Sequence, residues 1–155
     1  MTMECKTSEY DRLIQHFSER KFTKNDIKSF VHRVFSMYER ATVGKDRVPA
    51  EAFALLVDEH VNVDFPDYKI CSRQEFLEWH RWIHERLLSD DHDIKSIEVS
   101  YLANGKYKAC FDVRWRGAFK DGSFTDVLVE QQWIMYETDE YTHPIIEHYT
   151  AVVKD

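Results

Sequence analysis

Residues 94–115 read IKSIEVSYLANGKYKACFDVRW, and this stretch decides the fold class. Apolar and polar residues alternate on both sides of Asn104-Gly105, the dipeptide that best tolerates the positive φ angles of a tight hairpin turn. The pattern predicts strands over Ile94–Ala103 and Lys106–Phe119. Further along, Asp121-Gly122 supplies the next turn and a third strand runs from Phe124 to Glu137. A fourth, Ile145–Val153, follows a loop that ends at Pro144. Strands of this length make a large, curved, antiparallel sheet.

Upstream of residue 92 the apolar spacing is helical. A first helix is expected over Ser8–Glu19, with Tyr10, Leu13, Ile14 and Phe17 spaced by three and four. A longer one runs from Lys24 to Ala41, with Thr23 as its N-cap and Ile27, Phe30, Val31, Val34, Phe35 and Tyr38 on one stripe. Pro49 suits the first turn of a short helix to Val57. Val61, Val63 and Phe65 alternate before Pro66, as in a strand. Ser72 with Glu75 forms a capping box that opens a helix reaching Ser89. Helices first and strands later give an α+β domain, with N-terminal helices packed into a strongly curved antiparallel sheet. All 155 residues belong to one domain, with a core over 24–153 and a peripheral helix or tail over 1–22.

Composition narrows the function. Lys and Arg number 21 against 28 Asp and Glu, a net charge of −7, which argues against a phosphate-backbone partner such as nucleic acid. No apolar run is long enough to cross a membrane, and the N-terminus has no apolar core of a signal peptide. Cys5, Cys71 and Cys110 form no motif and read as reduced thiols, so a cytoplasmic protein is expected. Aromatics reach 14% of the chain, which points to an aromatic-lined interior.

The order of elements, with ALLVDEHVNVDFP at 54–66 and EQQWIMY at 130–136, resembles the NTF2-like superfamily of cone-shaped α+β barrels. That group includes SnoaL-like cyclases, ketosteroid isomerases, scytalone dehydratase and limonene epoxide hydrolases. The resemblance implies a curved sheet enclosing a cup, cofactor-free chemistry where there is chemistry, and dimers formed through the outer sheet face. Carried over residue by residue, the ketosteroid isomerase base position is Phe65, its oxyanion tyrosine falls at Val34 with Tyr38 one turn later, and its protonated carboxyl falls at Gln131. The epoxide hydrolase Arg and Asp would fall in Glu130-Gln131-Gln132. Neither chemistry transfers intact.

Alternation from Phe65 assigns the inner face. Phe111, Val113 and Trp115 line it on one strand, and Val127, Val129, Gln131, Trp133 and Met135 on the next. Ile146, His148, Thr150 and Val152 line it on the last. Tyr38, Trp79 and His80 complete a hydrophobic pocket suited to a small apolar or aromatic molecule. Within it, His148 is the candidate acid or base and Gln131 the group that orients a carbonyl, for isomerase, cyclase or hydratase chemistry. His80 and His84 share a helix face, yet no Glu completes a zinc motif and no third ligand converges, so no metal is expected. Trp79 and Trp82 are expected in the core. Ile134, Tyr149 and Ala151 on the outer face would suit a homodimer contact. The alternative is a non-catalytic interaction module whose cone is filled.

Overall fold

The computed structural model of the chain describes residues 8–13, 20–42 and 47–154. Helix α1 covers 8–13; the rest of the first expected helix, with Ile14 and Phe17, lies outside the described residues. Helix α2 (Lys24–Thr42) starts at a reciprocal cap. The Thr23 hydroxyl accepts the Asp26 N–H at 3.1 Å, and the Asp26 carboxylate accepts the Thr23 N–H at 2.9 Å. Its expected stripe, from Ile27 to Tyr38, is buried. Helix α3 (Ala50–Ala54) ends before the expected Val57, because Val57 already belongs to strand β1 (Val57–Phe65). A short strand β2 (Tyr68–Ile70), not anticipated from the sequence, folds back on β1. Helix α4 (Arg73–Arg86) is capped by Ser72, whose hydroxyl accepts the Glu75 N–H at 3.1 Å.

Strands β3 (Leu87–Leu102), β4 (Lys106–Phe119), β5 (Phe124–Tyr136) and β6 (Ile145–Val153) follow as a meander. With β1 parallel to β6, they form one six-stranded sheet in the order β2-β1-β6-β5-β4-β3. Helices α2, α3 and α4 pack over one face of it. Phe35 of α2 is the hub, with its ring 5.6 Å from Trp133 and 5.9 Å from Phe111.

Two departures from regular alternation reshape the interior. Helix α4 stops at Arg86 rather than Ser89, and Leu87 is already extended (φ −91°, ψ 137°). Leu87 pairs with Phe119, and the chain there runs close over Gly117. A Cβ at Gly117 would lie 3.2 Å from the Ser89 carbonyl and 3.3 Å from Leu87 Cδ2. Strand β3 therefore begins without a loop and brings in Leu87–Asp93, a charged stretch that carries no strand signal. A bulge between Lys95 and Glu98, with Ser96 at φ 40°, then shifts the phase. His92 and Ile94 face the helices before it, and Ile97, Val99 and Tyr101 after it.

The second departure is in β6. Met135 pairs with Ile146 but Ile134 pairs with His148, so Glu147 is an extra residue. Ile146 points inward, and past the bulge so do Tyr149 and Ala151, which are 2% and 5% exposed. His148 and Thr150, expected inside, lie on the outer face, and Val152 is exposed. Tyr149 and Ala151, expected outside beside Ile134, are inside. Trp82, expected in the core, is half exposed beneath the Arg86 guanidinium at 4.3 Å.

The segment before α2 is fastened to the sheet. Phe22, expected in the peripheral part, is buried in the core. Its N–H donates to the Tyr107 hydroxyl at 3.1 Å, which donates to the Glu137 carboxylate at 2.6 Å. The Lys21 N–H reaches the same carboxylate at 2.7 Å, and the Arg20 guanidinium donates to the Leu102 and Lys106 carbonyls. Replacing Tyr107 with Phe leaves the Phe22 N–H without its acceptor, at a cost of about 1–3 kcal/mol. Tyr107→Phe is expected to lower the urea unfolding midpoint with little change in the slope. An unchanged midpoint would show that this junction contributes nothing.

Candidate functional site

The cone encloses a cavity of about 190 Å³, open on one side. An engineered cavity of roughly 150 Å³ admits benzene, so this one accommodates a single ring fully and a larger molecule that extends to the mouth. Phe35, Phe65, Trp79, Val113 and Val129 form much of the wall. Seven side chains with titratable or amide groups interrupt it: Tyr38, His80, His84, Asp90, His92, Gln131 and Tyr149.

His92, on β3, is held between two carboxylates. Glu39 follows Tyr38 on α2; its Oε2 accepts the His92 backbone N–H at 3.2 Å and lies 3.6 Å from His92 Nδ1. Asp90, two residues before His92 on the same face, brings Oδ1 to 3.5 Å from His92 Nε2. The Asp90 oxygen also accepts the Trp115 indole N–H at 2.6 Å. The His92 and Asp90 side chains are 8% and 4% exposed. Contact with the His92 ring holds the Glu39 carboxyl below the usual carboxylate range. Burial pushes Asp90 up, and the neighbouring Glu39 and Asp91 charges add to that, while His92 and the Trp115 N–H oppose it. Two carboxyls beside one imidazole are thus driven in opposite directions, the arrangement from which acid and base roles arise.

On another wall, the Tyr38 and Tyr149 hydroxyls interact, and Tyr149 is also coupled to Gln131 and Trp133. Burial raises both phenols well above their ordinary value, so both stay protonated; one O–H is engaged by the other hydroxyl and one is left to donate outward. The Trp133 indole donates to Gln131 Oε1 at 3.1 Å. This fixes the amide's orientation and leaves its NH₂ to donate elsewhere.

Helix α4 supplies His80 and His84, stacked at 5.3 Å. His84 Nδ1 lies 2.8 Å from the His80 carbonyl. A carbonyl only accepts, so Nδ1 carries the proton and Nε2 is left as an acceptor. Burial lowers the pKa of both rings and favours neutral imidazoles. Neither His80 nitrogen has a hydrogen-bond partner among the described residues. Each such orphan costs about 1–3 kcal/mol in a buried setting.

Of the residues expected in the pocket, Tyr38, Phe65, Trp79, His80, Val113, Trp115 and Gln131 line the cavity. Phe111 and Trp133 pack against Phe35 in the core instead. His148 and Thr150 face outward, carried there by the Glu147 bulge, so His148 is not brought to Gln131. Sequence reasoning missed Glu39, Asp90 and His92; it weighed His84 beside His80 with one of the two at the rim, and it placed Tyr149 on the outer face. One signal was present: Asp90, His92 and Ile94 share strand parity.

No protein-family model matches the chain, and no curated protein matches it in sequence. Solved structures do match in shape. An NTF2-like superfamily protein from Salmonella enterica serovar Typhimurium is 12% identical, with 85% of this chain and 91% of that one covered at a TM-score of 0.71. A Novosphingobium aromaticivorans protein named "Putative Scytalone Dehydratase" is 11% identical, with 84% and 83% covered at 0.69. An NTF2-like protein with a cystatin-like fold from the same organism is 13% identical, with 96% and 88% covered at 0.66. At these identities the likeness concerns backbone and topology. The helices, the mixed six-stranded sheet and these matches together establish that the chain has the NTF2-like α+β fold.

Proposed function

We propose that the protein binds a small, largely apolar ring compound bearing oxygen and moves a proton on it without a cofactor, as an isomerase or lyase. The observation that carries this is the Glu39–His92–Asp90 array opening into a cavity whose other polar wall is the Tyr38–Tyr149 hydroxyl pair. The dehydratase name of the Novosphingobium neighbour agrees with it. A cavity of about 190 Å³ also favours ligand binding over a filled cone.

The chemistry follows from the groups. A ring ketone enters with its carbonyl oxygen toward Tyr38 and Tyr149. His92, oriented by Glu39, takes a proton from the carbon beside the carbonyl. The electron pair moves onto the carbonyl oxygen, where the O–H that the tyrosine pair leaves free stabilises the charge. Where a C=C bond lies β,γ to the carbonyl, the pair spreads over a dienolate; the imidazolium returns the proton to its γ-carbon, the C=O bond re-forms and the C=C bond moves into conjugation with it. Where a hydroxyl sits β to the carbonyl, the proton goes to that oxygen instead; the C–O bond breaks, the C=C bond forms and water leaves.

The test is deuterium uptake at the α-carbon of 2-tetralone in D₂O, followed by proton NMR. The wild type is expected to accelerate exchange over buffer, and His92→Gln to lose about 100-fold of that acceleration. Tyr38→Phe should lose about tenfold or more. No acceleration by the wild type, or an unchanged rate in His92→Gln, overturns the proposal.

Asp90 carries a stability cost. Its pKa is raised on folding, so its protonated form favours the folded state. Stability that is fully present below the ordinary carboxylate value is lost as pH rises through the raised folded value. Asp90→Asn keeps an acceptor for Trp115 and removes the charge. It is expected to melt a few degrees above the wild type at pH 7, with the gain shrinking at pH 4.5. A gain equal at both pH values would show that ionisation is not its source.

A further inference from the structure

His80 stands apart from the proton-moving array. It is 1% exposed. Its ring is stacked on Phe53 at 4.3 Å, meets Phe76 edge-on at 4.5 Å and has Trp79 and Tyr38 at 4.9 Å. Its surroundings are those of a core phenylalanine, and packing alone would be served by one. The residue instead has two ring nitrogens with no partner among the described residues, and its side chain lines the cavity. A neutral imidazole offers one donor and one acceptor, and burial favours that form here.

We infer that His80 is the docking group for a hydroxyl on the ligand's ring, so that the compound bound is a phenol or ring alcohol. A hydroxyl matches a neutral imidazole in either tautomer, because it donates to a bare nitrogen and accepts from a protonated one. A carbonyl could serve only the N–H. A carboxylate would bring a second negative charge into a cavity that already holds Asp90. His80 and His92 both pack against the Tyr38 ring, with centroids 4.9 and 6.0 Å from it. The hydroxyl therefore anchors one part of the ring while another part meets His92. This inference rests on the proposed ligand-binding cavity and adds to it the polar group that the ligand carries.

The test compares p-cresol with p-xylene, which differ by one hydroxyl in place of a methyl, through tryptophan fluorescence titration. A dry apolar cavity prefers p-xylene. The wild type is expected to bind p-cresol at least as tightly. His80→Phe should weaken p-cresol by about five- to tenfold relative to p-xylene, the effect of one hydrogen bond, while p-xylene binding stays within about threefold. Retained p-xylene binding also shows that the variant's cavity is intact. A p-cresol to p-xylene ratio unchanged in His80→Phe overturns the inference and leaves the cavity reading standing. Binding of neither probe to the wild type overturns both. Should His80→Phe fail to fold, wild type with ¹⁵N-labelled histidine decides. The inference requires p-cresol to move an imidazole ¹⁵N resonance that p-xylene leaves in place; identical shifts for the two probes overturn it.

Discussion

A pleated strand presents only every second side chain to one face, and this constraint determines what the cone encloses. Single-residue irregularities act on it, at Leu88 and after Lys95 in β3 and at Glu147 in β6. The bulge after Lys95 lets β3 keep Asp90, His92 and Ile94 inside at one end and Ile97, Val99 and Tyr101 inside at the other. Without the shift, one end would face its charged partners toward the helices. The extra residue at Glu147 does the same for β6, placing Ile146 and Tyr149 on one face although three positions separate them. Chemistry-bearing residues lie beside these irregularities, as bulges near functional sites commonly arrange.

The site is rigid because its parts come from packed elements. Tyr38 and Glu39 are consecutive on α2, so one stays in the cavity while the other reaches the back of His92. Phe35, one turn earlier, packs against Tyr38 at 5.3 Å and His92 at 4.9 Å. Helix α4 passes directly into β3 at Leu87, so the His80–His84 pair and the Asp90–His92 pair sit on one continuous piece of chain with no loop between them. Positioning groups on regular elements reduces the reorganisation needed during reaction.

The fold was largely legible, and the site only in part. Alternation around Asn104-Gly105, the Thr23 and Ser72 caps and the α2 stripe gave element types that the structure bears out. Inner-face assignments on β4 and β5 hold because those two strands pair with each other without a shift. The assignment on β6 fails at one residue, since a bulge is set by pairing across the sheet and leaves no local signature in HYTAVV. Asp90 and His92 were hidden for another reason. Residues 89–93 read SDDHD, a run too polar to look like a strand; pairing with β4, eased by Gly117, makes it one. Glu39 carries no sign of its role, because its partner lies 53 residues away.

The same polar groups explain why this interior is not simply a core. An apolar cone of this size gains stability from every buried side chain, and substituting Leu or Phe at His80, Asp90 or Gln131 would satisfy packing. The chain instead keeps on His80 two nitrogens without a partner among the described residues, and at Asp90 a carboxyl of raised pKa, against the preference of a dry interior for paired and uncharged groups. Phe35, Phe111 and Trp133 already hold one another around the α2 hub without them. The His80 nitrogens, which cost stability and border a cavity, gain an account once a ligand supplies their partner. The cavity and the His80 nitrogens together are what the proposed ring hydroxyl rests on.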